Sequence, residues 1–169
     1  MVHFIIYYVY VDKMNSIIFL DVDGVLNCSK TRARCQNYVG IDDEKLKILQ
    51  SVVEQTGAKI VLTSSWRIDW HKESWYKIIQ SAPANYLDRK LNRHGLCIFD
   101  KVDYADRRRG EGIIKYVWVN GVTNFVILDD ELFDFGACKL LKYLVKTSFD
   151  DGGLKSEHKE KIIAILRRN

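Results

Sequence analysis

Three short apolar runs in this chain each end in side chains that can do chemistry. Residues 17–20 run into Asp21-Val22-Asp23-Gly24, residues 59–63 into Ser64-Ser65-Trp66-Arg67, and residues 124–128 into Asp129-Asp130. Carboxylates at positions i and i+2 of an extended chain project to the same side, and Gly24 lets the backbone turn away at once. Carboxylates held this close repel one another unless a cation or a shared proton lies between them. Their hard oxygen atoms suit Mg²⁺. Hydroxyls at a strand end that leads into a helix can bind phosphate oxygens, helped by the free N–H groups of the helix terminus. Arg107-Arg108-Arg109, ahead of a helical pattern, could supply the cation such a site requires. Each group also has a plainer role, as a helix cap or a solvated turn. The plainer roles leave one thing unexplained. Acids or hydroxyls close three strand-like runs, and like charges gathered there would be unfavourable without a divalent cation.

The elements that must position these groups follow from periodicity. Four apolar residues bounded by polar ones read as a buried strand of an α/β sheet. After a polar, basic loop over 28–40, Asp42 or Asp43 is a plausible N-cap. Leu46, Leu49, Val52 and Val53 then recur at helical spacing, with Gly57 as the stop, which predicts an amphipathic helix over 43–56. The next run, Lys59-Ile60-Val61-Leu62-Thr63, completes a βαβ unit, so the first two strands should be parallel. Their carboxyl ends then share one edge of the sheet, where open α/β sheets place their ligands. Ile113, Ile114, Val117 and Trp118 predict a helix of about ten residues before the strand that ends in Asp129. Residues 143–147 read as one more strand and residues 156–167 as a closing amphipathic helix.

Composition sets the outer limits. With 169 residues, 47% of them hydrophobic and 28% charged, the chain is long enough for one domain with a real core and too apolar to be disordered. A net charge of +4 permits phosphorylated or nucleic-acid partners without requiring them. Cys28, Cys35, Cys97 and Cys138 form no CxxC pair, which suits isolated thiols in a reducing cytosol. A cytoplasmic location with no membrane association is the expectation.

The remaining stretches carry alternatives. Residues 2–11 are apolar and aromatic but too short to span a bilayer, and they lack a basic start and a cleavage site. Met14 directly precedes the key strand, so residues 1–13 read as an N-terminal extension and 14–169 as the domain. Trp66, Trp70 and Trp75 stand among Arg67, His71, Lys72 and Tyr76. Helical spacing of Trp66, Trp70, Ile78 and Ile79 makes a core-facing stripe, whereas a basic-aromatic surface would stack nucleobases. Pro83 reads as separating two short helices. His71 and His94 have no partners at metal-ligand spacing.

In this order, DVDGVLN, VLTSSWR, an arginine before a helix and VILDDE resemble the haloacid dehalogenase (HAD) superfamily of phosphotransferases, over most of the chain from Met14 onward. The wording VLTSSWR, with RRGEGI ahead of ILDDE, is most similar to the HAD domains of Swiss Army Knife RNA repair proteins. The resemblance implies a three-layer Rossmann-like α/β domain with a mostly parallel central sheet. The short gap between the first two motifs leaves no room for a large cap domain there. Residues 66–106 could form a small helical cover at most.

The same resemblance implies roles. Asp21 would be the nucleophile and Asp23 the acid that protonates the leaving oxygen and then deprotonates water. Ser64 would bind the transferring phosphoryl oxygens, with Thr63 one register away as its rival, and Gly24 and Ser65 would line the phosphate site. Superfamily members normally place a lysine before the fourth motif. Here Arg109 stands 20 residues ahead of Asp129, with Arg107 and Arg108 as rivals. Asp21, Asp129, Asp130 and the carbonyl of Asp23 would hold Mg²⁺. An acid at position 23 suits phosphatase chemistry rather than dehalogenation. Three functions follow: a Mg²⁺-dependent phosphatase acting on RNA or DNA ends, the same chemistry on small metabolites or nucleotides, or a non-catalytic nucleic-acid-binding module.

Overall fold

The computed structural model describes residues 16–73, 76 and 79–167. Five parallel strands form the central sheet. They are β1 (Ser16–Leu20), β4 (Lys59–Leu62), β5 (Ile98–Lys101), β6 (Asn124–Asp129) and β7 (Leu144–Lys146), in the spatial order β5-β4-β1-β6-β7. The central position of β1 decides the architecture of the site. Ile18 pairs with Ile60 on one side and with Val126 on the other, so all three chemistry-bearing strand ends are neighbours. The ladder continues one residue past each strand. Thr63 N–H donates to the Leu20 carbonyl at 2.9 Å and Asp21 N–H to the Leu128 carbonyl at 3.0 Å. The backbone carrying Asp21 is therefore stitched to both neighbours.

Alternation along β1 builds two cores. Ile18 and Leu20 pack with Leu46, Leu49 and Val52 of α1 (Asp43–Thr56), Leu87 and Leu91 of α2 (Ala82–Arg93), and Ile162 and Ile163 of α4 (His158–Leu166). Ile17 and Phe19 pack on the opposite face with Ile113 and Tyr116 of α3 (Arg109–Val119) and with Phe125 and Phe135. Both faces of a parallel sheet are thus covered, giving the three-layer arrangement that such sheets require. Asp42 caps α1 through the Glu44 N–H at 3.1 Å, and Gly57 ends it at φ 65°, a left-handed turn that glycine adopts without strain.

The structure departs from the sequence reading in the segment 66–106. Among the described residues no α-helical stripe carries Trp66 and Trp70. Ser65–Arg67 is a single 3₁₀ turn, Trp70 is buried, and Ile79 is 68% exposed. Pro83 lies in the first turn of α2, where its missing N–H costs nothing, rather than between two helices. The same segment supplies β5, so it is more than a helical cover. The expected loop over 28–40 contains a small hairpin, β2 (Arg34–Cys35) with β3 (Tyr38–Val39). Trp118, expected on the packed face of α3, is 82% exposed. The expectations for residues 1–13, Trp75 and Ile78 lie outside the described residues. Among the described residues no large cap covers the sheet edge, all four cysteines are free, and no helix is long and apolar enough to cross a membrane.

Candidate active site

Asp21 leaves β1 at the carboxyl edge of the sheet, flanked by the ends of β4 and β6. Its side chain, with those of Asp129 and Asp130, offers three carboxylate oxygens within 4.8 Å of one another. Asp129 is wholly buried and Asp21 nearly so. Gly24 makes room for the third acid. At φ +72° it turns the chain sharply, and a Cβ there would lie 2.1 Å from Asp130 Oδ2. Thr147, just past β7, fixes this turn from the other side. Its hydroxyl donates to the Gly24 carbonyl at 2.6 Å, while its N–H donates to the Asp129 carbonyl at 2.9 Å.

Among the described residues, Arg109 is the cation that ion-pairs with this cluster. Arg109 Nη1 stands 3.2 Å from Asp21 Oδ1 and 2.5 Å from Asp129 Oδ2. Its two sequence neighbours face elsewhere. Arg107 pairs with Glu131 and Arg108 with Glu111, both on exposed side chains. Arg109 opens α3, and a remote acid secures that helix end. The Asp134 carboxylate accepts the Gly110 and Glu111 N–H groups at 2.6 and 3.0 Å. Burial works against the Asp134 charge, yet these N–H groups outweigh it and hold the carboxyl below its usual range. α3 is thereby tied to the loop that follows Asp129 and Asp130.

A single guanidinium does not balance the acids. Burial pushes Asp21 up to about 7; Arg109 opposes that rise, while Asp129 and Asp23 add to it. Asp129 and Asp130 are also raised, in both cases chiefly by burial. Burial works against the charge of Arg109, but Asp21 and Asp129 outweigh it and hold the guanidinium firmly protonated. Three converging hard oxygen donors, raised by burial in spite of Arg109 beside Asp21 and Asp129 and Lys146 near Asp130, could hold a divalent cation.

Asp23 stands apart from that cluster. Its Oδ1 accepts from Asn27 Nδ2 at 2.8 Å and its Oδ2 from Trp66 Nε1 at 3.0 Å, so its carboxylate does not join the three metal-type oxygens. Asn27 also ties down Gly24, whose N–H donates to its Oδ1 at 2.9 Å. Among the hydroxyls, Ser64 lies close enough to Asp21 to favour its charged form, and its Oγ accepts the Trp66 N–H at 3.4 Å. Ser65 lines the cleft. Thr63 Oγ1 is sealed in the interior without a hydrogen-bond partner.

The sequence reading did not single out Tyr104, Asn27, Asp134 or Thr147. Tyr104 donates its hydroxyl to the Thr63 carbonyl at 2.6 Å and accepts from Arg109 Nε at 3.1 Å. Its ring carries the Arg67 guanidinium at 3.6 Å. Tyr104, Arg67 and Arg109 border a cleft of about 590 Å³ that also has Asp21, Asp23 and Asp130 in its walls.

A family model described as the HAD domain in Swiss Army Knife RNA repair proteins matches residues 17–158. The chain belongs to this family. Comparison with curated proteins and with solved structures returns no match. The match to the HAD domain begins at β1 and ends at the first residue of α4, so it includes every element that borders the cleft. At the level of the superfamily the chemistry is that of a phosphohydrolase. The open carboxyl edge of this HAD domain is where the sheet topology places Asp21, Ser64, Arg109 and Asp129 together.

Proposed function

We propose that this HAD domain is a Mg²⁺-dependent phosphomonoesterase that works through an aspartyl-phosphate at Asp21. The observation that carries the reading is Arg109 bridging Asp21 and Asp129 beside Asp130 at the carboxyl edge of the sheet. The acids fit a divalent cation, since their oxygens converge within 4.8 Å and Gly24 has no side chain to block Asp130. Asp21, Asp129 and Asp130 would hold the ion, which would keep Asp21 ionised and offset charge on the equatorial phosphoryl oxygens.

The chain's own residues supply the rest. An oxygen of Asp21 attacks phosphorus, and the bond to the leaving oxygen breaks as Asp23 delivers its proton to that oxygen. Asp23 then takes a proton from water, whose oxygen attacks the acyl phosphate and releases inorganic phosphate and free Asp21. Arg109 and the Ser64 hydroxyl are the proposed donors to the transferring phosphoryl group. Ends of RNA or DNA are the proposed substrates, supported by the family description and by the absence of a large cap among the described residues.

The test is phosphate release from an aryl phosphate, with and without Mg²⁺, by the wild type and by Asp21→Asn. Metal-dependent turnover that disappears in the variant is expected. Turnover that survives the substitution would remove Asp21 from the nucleophile's role.

A further inference from the structure

The cleft above Asp21 does not end at Asp23. A second, smaller groove of about 220 Å³ adjoins it, and the two share Asp23, Ser65 and Ile68 in their walls. The rest of the groove is formed by Tyr38, Trp66, Asp69, Ser81 and Pro83. Asp23 stands at the junction, with the phosphoryl cleft on one side and this groove on the other.

We propose that the groove is the leaving-group subsite and takes the nucleoside of a substrate carrying a single terminal phosphate. The inference rests on the phosphatase reading and adds the substrate class. Three observations lead to it. An acid that protonates the leaving oxygen must lie within hydrogen-bonding reach of it, so the body of the leaving group extends past Asp23. The walls mix two aromatic rings, Tyr38 and Trp66, and the apolar Ile68 and Pro83 with the polar Asp23, Ser65, Asp69 and Ser81. Tyr38 and Ile68, 59% and 68% exposed, line the groove with Trp66 and leave apolar surface open to a ligand. The groove is small, with room for one base and its sugar rather than a longer segment.

Charge narrows the class further. Arg67 and Arg109 both line the phosphoryl cleft, whereas among the described residues no lysine or arginine lines the groove. Asp23 and Asp69 are the charged residues in the groove, and both are acids. A second phosphate placed there would meet carboxylates without a counter-ion, so the leaving group is uncharged where it fills the groove. Asp69 and Ser65 offer oxygen acceptors to sugar hydroxyls or base N–H groups. A nucleoside monophosphate fits this description, and so does the last nucleotide of a strand with a terminal phosphate. Nucleoside polyphosphates do not.

The test compares kcat/KM for a nucleoside monophosphate, glycerol phosphate and a nucleoside diphosphate in the wild type, Tyr38→Ala, Ile68→Ala and Asp69→Lys. Both alanine variants change exposed side chains and should fold. Tyr38→Ala is expected to lower the ratio of nucleoside monophosphate to glycerol phosphate about tenfold, the worth of one lost stacking contact, and Ile68→Ala to lower it less, by the loss of an aliphatic contact. Asp69→Lys should raise the diphosphate relative to the monophosphate. Equal losses on the ring-bearing and ring-free esters would overturn the subsite and leave the phosphatase reading intact. If no ester is turned over, the phosphatase reading fails alone, because the Trp66 indole N–H resonance still reports the groove. Free nucleoside should shift that resonance in the wild type and not in Tyr38→Ala, and the absence of any shift overturns the subsite. Comparing the mononucleotide with a short oligonucleotide bearing the same terminal phosphate then distinguishes the two sources.

Discussion

Trp66 Nε1 donates to Asp23 Oδ2 at 3.0 Å, reaching across 43 positions of sequence to the residue proposed as acid and base. Asn27 Nδ2 holds the other oxygen at 2.8 Å, so two neutral donors fix the orientation of this carboxyl. Trp66→Phe keeps an aromatic ring in the groove and removes the indole N–H donor. We expect turnover of alkyl phosphates to fall about tenfold while an activated nitrophenyl ester is barely affected, since a good leaving group needs little help from an acid. Equal losses on both esters would mark Trp66 as a packing residue only.

Arg109 Nη1 bridges Asp21 and the wholly buried Asp129. Arg109→Ala leaves two buried carboxylates without their cation, and turnover should disappear. Removing one partner of a buried pair also costs stability, roughly 3 kcal/mol or more. Arg109→Lys keeps the charge but gives up the planar fork that can address two acids and the Tyr104 hydroxyl together. It should recover part of the stability and little of the activity. Urea unfolding of the chelator-treated proteins, alongside phosphate release, checks both halves of the expectation.

What the sequence made legible followed from local pattern. Asp21, Asp129 and Asp130 each close an apolar run, and the βαβ order alone puts the first two strand ends on one edge. Arg109 was not separable from Arg107 and Arg108, because burial on α3, not spacing along the chain, decides which one faces the acids. The tryptophans misled for a similar reason. Helical spacing of Trp66 and Trp70 is real, but Ser65–Arg67 folds as a 3₁₀ turn and Pro83 lies in the first turn of α2, so Trp66 is freed to reach Asp23. Tyr104, Asp134 and Thr147 act through contacts with distant backbone, and no motif marks such residues. β5 is short, and its burial comes from pairing with β4, which a single strand's sequence does not reveal.

The metal-free protein should lose stability as pH rises through neutrality. Asp21 is lifted from an ordinary 3.8 to about 7, first by burial. Between those values the folded state holds the proton more tightly than the unfolded chain, so stability is highest below the unfolded value and declines until Asp21 has ionised. Asp43, held low chiefly by its hydrogen bond with Lys90, tilts the curve the opposite way. The useful quantity is therefore the difference between wild type and Asp21→Asn. In chelator, Asp21→Asn should melt several degrees above wild type at about pH 7.5, with the gap closing toward about pH 5. Mg²⁺ should raise the wild type at the higher pH more than the variant. A gap that does not change with pH would count against an ionising Asp21.

Gly24 connects backbone conformation to the acid cluster. Its φ of +72° is strained for any residue with a side chain, and a Cβ would sit 2.1 Å from Asp130 Oδ2 and 2.2 Å from Asp130 Cγ. The strain costs about 1–2 kcal/mol, but the larger effect is on the site. Asp130 would have to swing away, leaving two of the three converging oxygens. Gly24→Ala should therefore fold with a modest drop in thermal midpoint and bind Mg²⁺ at least tenfold more weakly by calorimetry. Asp130→Asn in the same assay separates the causes. It keeps Gly24 and its turn intact while weakening the third donor, so a similar loss of affinity assigns the effect to Asp130. Unchanged affinity in Asp130→Asn beside a loss in Gly24→Ala would instead place the effect in the turn itself, which Thr147 and Asn27 hold from either side.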